Sequence, residues 1–146
     1  MNNPLKSKLV GALMLGLLLP LGTALPAVAG PDEDAVSALL TKMFDKPESK
    51  LMFGPIIVVG DNAIADWYQG EMGGRALLWK KNGQWALRLC SGDALKDAKL
   101  LASNGIAEAD AAQLAQNLAS AEASTDPTIA KKFSLFEGTM VMDGGQ

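Results

Sequence analysis

Sulfur-bearing side chains are the groups in this sequence whose chemistry stands out. Cys90 is the single cysteine among the 146 residues, and there is no histidine. Met140 and Met142 stand two residues apart, so on an extended strand both side chains would point to the same face. Thiol and thioether sulfur are soft ligands that suit Cu(I). Cys90, Met140 and Met142 are therefore the candidate metal ligands, although the methionine spacing alone favours ordinary apolar packing in a terminal strand.

The absence of histidine removes several classes of site. Histidine-based acid–base catalysis, the usual catalytic triads and histidine-rich zinc sites all need an imidazole. No pair of carboxylates stands out as an acid–base pair either, so we expect no enzyme and no catalytic residue. Acidic residues outnumber basic ones by 16 to 13. Since an acidic domain gains nothing from phosphate counterion release, nucleic acid is not an expected partner.

A second group of candidates lies on the predicted strands and would line a small-molecule pocket. Asp66 and Trp67 are neighbours in one strand, and Arg88 stands two residues before Cys90 in another. A solvent-facing Asp66 is the preferred interpretation; facing inward, its pKa would be raised by burial and it would be a candidate base. Strict alternation would place Arg88 and Cys90 on one face. The preferred interpretation is a half-buried Cys90 beside a solvated Arg88; the alternative is a guanidinium that favours the thiolate.

The elements that would position these residues form an α+β pattern. Acidic residues followed by apolar ones at helical spacing predict an N-terminal helix that ends at Pro47. An antiparallel four-stranded meander follows, and then C-terminal helices packed on one face of the sheet. Residues 138–142 fit either a last strand or a tail. The predicted strands are residues 56–59, 63–68, 75–81 and 84–90, with a glycine-rich loop at 70–74 and a hairpin turn at Asn82-Gly83.

The first 29 residues have the three parts of a secretory signal peptide. Lys6 and Lys8 are positive, residues 9–19 form an uncharged apolar run, and residues 27–29 (Ala-Val-Ala) fit a small-x-small cleavage pattern. We expect cleavage before Gly30. The apolar run is shorter than the roughly 20 residues that a spanning helix needs, so no membrane anchor is expected after cleavage.

We expect three parts in the chain. Residues 1–29 are the cleaved signal peptide, residues 30–142 form a single α+β domain, and residues 143–146 form a frayed tail. With one membrane crossed and no anchor, the expected location is the periplasm of a Gram-negative bacterium. An exported chain with one thiol has no internal disulfide.

Several short motifs run through the predicted sheet and the helices after it. They are residues 58–67 (VVGDNAIADW), 73–78 (GGRALL), 83–85 (GQW), 89–93 (LCSGD), 95–98 (LKDA) and 104–106 (NGI). This set resembles the bacterial family called copper uptake system-associated proteins, over nearly the whole chain after the signal peptide. Cys90 fits the family's Leu-Cys-x-Gly pattern. The chain departs from it at Asn62, where the family often carries a histidine.

The resemblance implies an exported accessory protein associated with copper uptake or homeostasis. Such a protein would bind Cu(I) through sulfur or dock to a copper carrier, and copper-transport components of the cell envelope are the implied partners. The resemblance supplies no established reaction or metal site.

Two alternatives to a copper protein stay open. One is a small-molecule-binding or weakly catalytic domain with a pocket in the concavity of the sheet. The other is a structural interaction module that docks through the loop around Met72. The order of elements is also similar to the α+β roll of nuclear transport factor two-like domains, a fold that hosts enzymes and binding proteins alike.

Overall fold

The structure, a computed structural model, describes residues 29–142. The predicted frayed tail and, but for residue 29, the predicted signal peptide lie outside the described residues. The helices are α1 (Pro31–Phe44), α2 (Ala98–Ser103), α3 (Glu108–Glu122) and α4 (Pro127–Ala130), with 3₁₀ turns at Asp93–Lys96 and Lys131–Ser134. The strands are β1 (Met52–Val59), β2 (Asn62–Gln69), β3 (Met72–Lys81), β4 (Gln84–Ser91) and β5 (Thr139–Val141).

The strands form one antiparallel sheet in sequence order, β1-β2-β3-β4-β5. The predicted α+β class with an antiparallel meander is confirmed, but the predicted number of four strands is wrong. The fifth strand has three residues and pairs Thr139, Met140 and Val141 with Ser91, Cys90 and Leu89 of β4. A three-residue strand is too short for a pattern of alternation, and pairing with β4 defines it.

The connection between β2 and β3 is tighter than the sequence indicated. The predicted loop at residues 70–74 is a two-residue turn, with Gln69 paired to Met72 on either side of it. Gly70 has a φ of 60°, a conformation that favours glycine. The predicted Asn82-Gly83 turn is confirmed, and both of its residues have positive φ.

Helices cover both faces of the sheet. The α3 face bears Ile64, Leu77 and Leu89, which pack against apolar residues of α2 and α3. The α1 face bears Ala65, Ala76 and Cys90, which form a cluster with Val36 and Leu40 of α1. The C-terminal helices α2 and α3 pack on one face of the sheet, as predicted. The helix α1 packs on the opposite face.

A C-terminal strap, residues 127–138, crosses the end of the sheet near the β2–β3 turn. Glycines lie beneath it, and an added Cβ would collide with the strap at each one. Gly54 faces the ring of Phe133, Gly73 faces the backbone of Lys132, and Gly74 and Gly92 face Phe136. The strap follows this path because those positions lack side chains.

Among residues 29–142, no helix has both the length and the apolar character needed to cross a membrane.

Candidate functional site

An apolar cavity of ≈ 180 Å³ lies on the α1 face of the sheet. Ala76 and Cys90, which are buried cross-strand partners, contribute to its wall from β3 and β4. Leu40 and Phe44 contribute from α1, and Phe136 contributes from the strap. Three separate parts of the chain thus enclose one space against the sheet.

Three sulfur-bearing side chains line this cavity: Met72, Cys90 and Met140. Cys90 is 6% exposed and lies opposite Met140 in the pairing of β4 with β5. Met140 is 53% exposed and Met72 is 64% exposed, so both thioethers reach the solvent-facing side of the cavity. Met142 packs against the same apolar cluster but does not belong to the cavity lining. The structure therefore brings together two of the three predicted metal ligands, Cys90 and Met140, and Met72 lines another part of the same cavity.

The Cys90 thiol is protonated at neutral pH. Burial raises its pKa to about 11, because a thiolate would lose its hydration there. Cys90 forms no disulfide. A buried thiol of this kind is inert towards ordinary thiol chemistry, and only a ligand that itself stabilises sulfur, such as a soft metal ion, would displace the proton.

Aromatic rings and one amide complete the part of the cavity nearest the β2–β3 turn. The rings of Trp67 and Phe136 meet edge to face, with centroids 6.1 Å apart. Gln69 donates both amide N–H bonds outward from the cavity, to Phe44 O at 2.9 Å and Ser49 O at 2.6 Å. None of the described lining residues carries a charge. The cavity therefore suits an uncharged group or a soft ion, and not a hard ion.

A β-bulge separates Arg88 from Cys90. The pairing of β3 with β4 shifts by one residue between Leu77 and Leu78, and Arg88 is the extra residue. Its guanidinium stacks on Trp79 at 4.5 Å, on the α3 face, whereas Cys90 belongs to the α1 face. The prediction that Arg88 and Cys90 share one face is wrong, because a bulge reverses the alternation.

The preferred solvent-facing interpretation of Asp66 is also wrong. Asp66 is completely buried on the α3 face. The next residue, Trp67, lies on the α1 face and lines the cavity, and Arg88 stacks on Trp79. The structure does not bring the three predicted pocket residues together, so no single site contains Asp66, Trp67 and Arg88.

Asp66 belongs to a buried polar cluster around Arg75. Arg75 Nε donates to Glu122 Oε1 at 2.8 Å, and Nη2 lies 2.7 Å from the same oxygen. Nη1 donates to Asp93 Oδ1 at 3.0 Å and to Phe133 O at 3.1 Å. Asp66 Oδ1 lies 3.4 Å from Nε. Arg75 therefore joins the sheet to α3, to the 3₁₀ turn after β4 and to the strap.

Asp66 is held as a neutral acid in this cluster. Burial, and then the negative charge of Glu122, raise its pKa to about 8, although the positive charge of Arg75 opposes the rise. Neither carboxyl oxygen of Asp66 has a hydrogen-bond partner among the described residues. Arg75 is therefore hydrogen-bonded to Glu122 and Asp93, whereas Asp66 contacts it at 3.4 Å without a hydrogen bond.

A wide polar cleft of ≈ 520 Å³ opens beside the cluster. Arg75, Lys96, Glu122 and Lys131 lie along it. Lys96 lies 3.4 Å from Glu122 Oε2, and Arg75 is hydrogen-bonded to acceptors on three elements. Because Arg75 and Lys96 are already paired, Lys131 is the one cation of this lining without an ion pair among the described residues. The sulfur-lined cavity is the stronger candidate site.

The buried pair of Asp66 and Arg75 was not predicted, although the sequence holds a signal for it. A two-residue turn at Gly70 and Glu71 sets a register that places Asp66 directly opposite Arg75. A five-residue loop at 70–74, as predicted, leaves the pairing register of β2 and β3 undefined. The inclusion of Met72 in the cavity was missed for the same reason, because a methionine in a loop has no defined face.

Within residues 29–142 there is no group of three or more cysteine and acidic side chains arranged to hold a metal ion. In comparisons with protein-family models, curated proteins and solved structures, the chain matches none of them.

Proposed function

We propose that this chain is an exported accessory protein of copper uptake or homeostasis that binds Cu(I) through sulfur. The observation that carries the proposal is the cross-strand pair of Cys90 and Met140, both of which line one apolar cavity. Because facing residues of paired strands project to the same side, the two sulfur groups share one environment. The motif resemblance to copper uptake system-associated proteins supports the same conclusion.

The chemistry of the cavity favours Cu(I) over other metal ions. A thiol and a thioether are soft ligands, whereas Cu(II) and Zn²⁺ prefer imidazole or additional thiolates. Hard cations need oxygen ligands, which the lining does not offer as charged groups. Binding would exchange the Cys90 proton for Cu(I) and leave the thiolate–copper pair without net charge, which an apolar cavity tolerates.

Competition for Cu(I) against a coloured chelator under anaerobic conditions tests the proposal. We expect the purified protein to withdraw about one Cu(I) per chain. Cys90→Ser and Met140→Leu should each weaken Cu(I) binding at least tenfold. Met52→Leu is the matched control, because Met52 is a similarly exposed methionine that lies outside the cavity lining.

Two outcomes would contradict the proposal. One is failure of micromolar protein to compete for Cu(I) at all. The other is binding that survives in the Cys90→Ser, Met140→Leu double variant. A protein that fails this test but is retained by an immobilised periplasmic copper carrier would instead favour docking without metal binding.

A small apolar ligand is the second candidate occupant, and the volume and lining of the cavity favour it. An enclosed apolar cavity of about 150 Å³ admits benzene, and the space against the sheet here has a similar volume and a similarly uncharged lining. Benzene should then raise the melting temperature of the metal-free protein, and bound Cu(I) should abolish that increase. An unchanged melting temperature in saturated benzene would remove this candidate.

A further inference from the structure

Two rows of cross-strand partners run side by side across the sheet. The first row, on the α3 face, is polar and passes from β2 to β5 through Asp66, Arg75, Ser91 and Thr139. The second row consists of the neighbours of these residues in the same strands, Ala65, Ala76, Cys90 and Met140. Because neighbours in a strand point to opposite faces, the second row lies on the α1 face, along the cavity. A contact that fixes the register of the polar row therefore also fixes which residue stands opposite Cys90.

The register of β5 is not specified by buried side chains within the strand. All three residues of β5 are exposed, and three residue pairs join it to β4. A slip of one residue would turn Met140 away from the cavity, because side chains alternate along a strand. Met142, just after β5, packs against the α1-face cluster, and its N–H donates to Arg88 O at 2.9 Å. These contacts hold the last part of β5, so its first part must be held by other groups.

The hydroxyl of Ser91 holds the beginning of β5. Ser91 is 1% exposed, and its Oγ donates to Gly138 O at 2.7 Å. Its single proton is used there, so Thr139 Oγ1, at 3.2 Å, is the donor in the contact between the two hydroxyl groups. Gly138 has a φ of 74° and is the residue from which the chain enters β5. A shifted register would leave the buried Ser91 hydroxyl without its acceptor, which opposes the shift.

We propose that Ser91 is a positioning residue for Cu(I) binding, because its hydroxyl keeps β5 in the register that places Met140 opposite Cys90. This inference rests on the proposed function, since it concerns the same two sulfur ligands. Ser91 lies on the opposite face of the sheet from the cavity and does not line it. It therefore acts through Met140 and does not touch the ion.

A double-mutant cycle in the anaerobic Cu(I) competition tests whether Ser91 acts through Met140. Ser91→Ala should weaken Cu(I) binding about tenfold, because loss of the hydroxyl lets Met140 leave its place opposite the thiol. In the Met140→Leu background the same substitution should change the affinity less than about twofold, since the ligand that Ser91 positions is already absent.

Ser103→Ala is the matched control. Ser103 Oγ also donates to a backbone carbonyl at 2.7 Å, that of Leu100, but it does so in α2, away from β5. Its loss should leave the affinity for Cu(I) within about twofold of the wild type.

Amide hydrogen exchange of the metal-free protein measures the same effect without copper. The N–H of Met142, which donates to Arg88 O, should exchange faster in Ser91→Ala than in the wild type, because β5 is released at its beginning. The amides of β2 and β3 should keep their wild-type rates, which would show that the change is local. In Ser103→Ala the Met142 amide should exchange at the wild-type rate.

The outcomes separate the failure of this inference from that of the proposed function. If the wild-type protein takes up no Cu(I), both proposals are overturned. If the wild type binds Cu(I) through Cys90 and Met140 but Ser91→Ala keeps full affinity, Ser91 has no positioning role and the proposed function stands. The same conclusion follows if Ser91→Ala weakens binding equally with and without Met140, or if the exchange of the Met142 amide is unchanged.

Discussion

Asp66 is a carboxylic acid enclosed between the sheet and α3, and its protonation affects the stability of the fold. Folding raises its pKa from 3.8 to about 8, with burial as the main cause. The groups around it are Arg75 of β3, Glu122 of α3, and Lys96 and Asp93 of the 3₁₀ turn after β4. Between these two pKa values the folded chain keeps a proton that the unfolded chain has lost.

Asp66 should therefore make the protein less stable as pH rises from 4 to 8. A single proton contributes a slope of up to about 1.4 kcal/mol per pH unit to the free energy of unfolding. Asp66→Asn removes this titration. The free energy of unfolding of the variant, measured relative to that of the wild type, should therefore increase as the pH rises from 5 to 7. Urea unfolding at pH 5, 6 and 7 measures this. Asp61→Asn, at an exposed turn, is the control; a parallel pH dependence of Asp66→Asn and wild type would refute the prediction.

Arg75 is the charged residue on which this end of the fold depends. Arg75→Met would leave the buried side of Glu122 without its cation and would remove a hydrogen bond to Phe133 O of the strap. Breaking a buried pair by removing one partner costs about 3–5 kcal/mol. We expect a loss of that size in the free energy of unfolding, measured by urea denaturation.

Arg88→Met is the matched control for Arg75. Arg88 is only partly buried, stacks on Trp79, and has no carboxylate within ion-pair distance among the described residues. Loss of that cation–π contact should cost less than about 1 kcal/mol. An equal loss in the free energy of unfolding in the two variants would show that the buried ion pairs of Arg75 do not stabilise the fold more than an exposed cation–π contact does.

At the scale of elements, local patterns predicted which segments are strands but not every face. Alternation in β4 assigns Arg88 and Cys90 to one side, and the bulge at Arg88 reverses that assignment. A bulge depends on how β4 pairs with β3, so the sequence of β4 alone does not show where the bulge lies. The N-terminal helix depends less on distant contacts, because acidic residues at its start and apolar spacing act within α1 itself.

The glycines beneath the strap provide a test at the same scale. Gly73→Ala would place a methyl group against the backbone of Lys132, which cannot move without displacing the strap. Overpacking of this kind costs about 1–3 kcal/mol. We expect a lower melting temperature and faster proteolysis within residues 127–138.

Gly30→Ala is the control for the strap, because the added Cβ would meet only the flexible end of Glu33. Its effect on stability should stay within about 0.5 kcal/mol. If Gly73→Ala has the same melting temperature and the same resistance to proteolysis as Gly30→Ala, the position of the strap does not depend on a glycine at residue 73.

At the scale of the whole molecule, the predicted export would place Cys90 in an oxidising compartment. When the full chain is produced in a Gram-negative bacterium, we expect a periplasmic protein that begins at Gly30. Intact-mass measurement of the periplasmic fraction checks the cleavage site. Ala29→Phe should leave an uncleaved precursor, because the position before the cut needs a small residue. A cytoplasmic protein that retains residues 1–29 would contradict the prediction.

The sequence by itself determined the α+β class, the hairpin order of the first four strands and which sulfur-bearing side chains the chain contains. These follow from composition and from patterns within about ten residues, where turn chemistry and side-chain period act directly. The absence of histidine belongs to the same level, since it holds for every arrangement of the chain.

Only the tertiary structure decided which of these sulfur-bearing side chains line one cavity. Met140 faces Cys90 because β5 returns to the edge of β4 across some 50 residues. Met72 lines the same cavity from the start of β3, four residues along the strand from the partner of Cys90. Asp66 and Trp67 face opposite sides of the sheet because side chains alternate along β2, and only the packing of α1 and α3 decides what covers each side. Contacts between distant segments arise from packing the whole chain around a common core, so no local pattern specifies them.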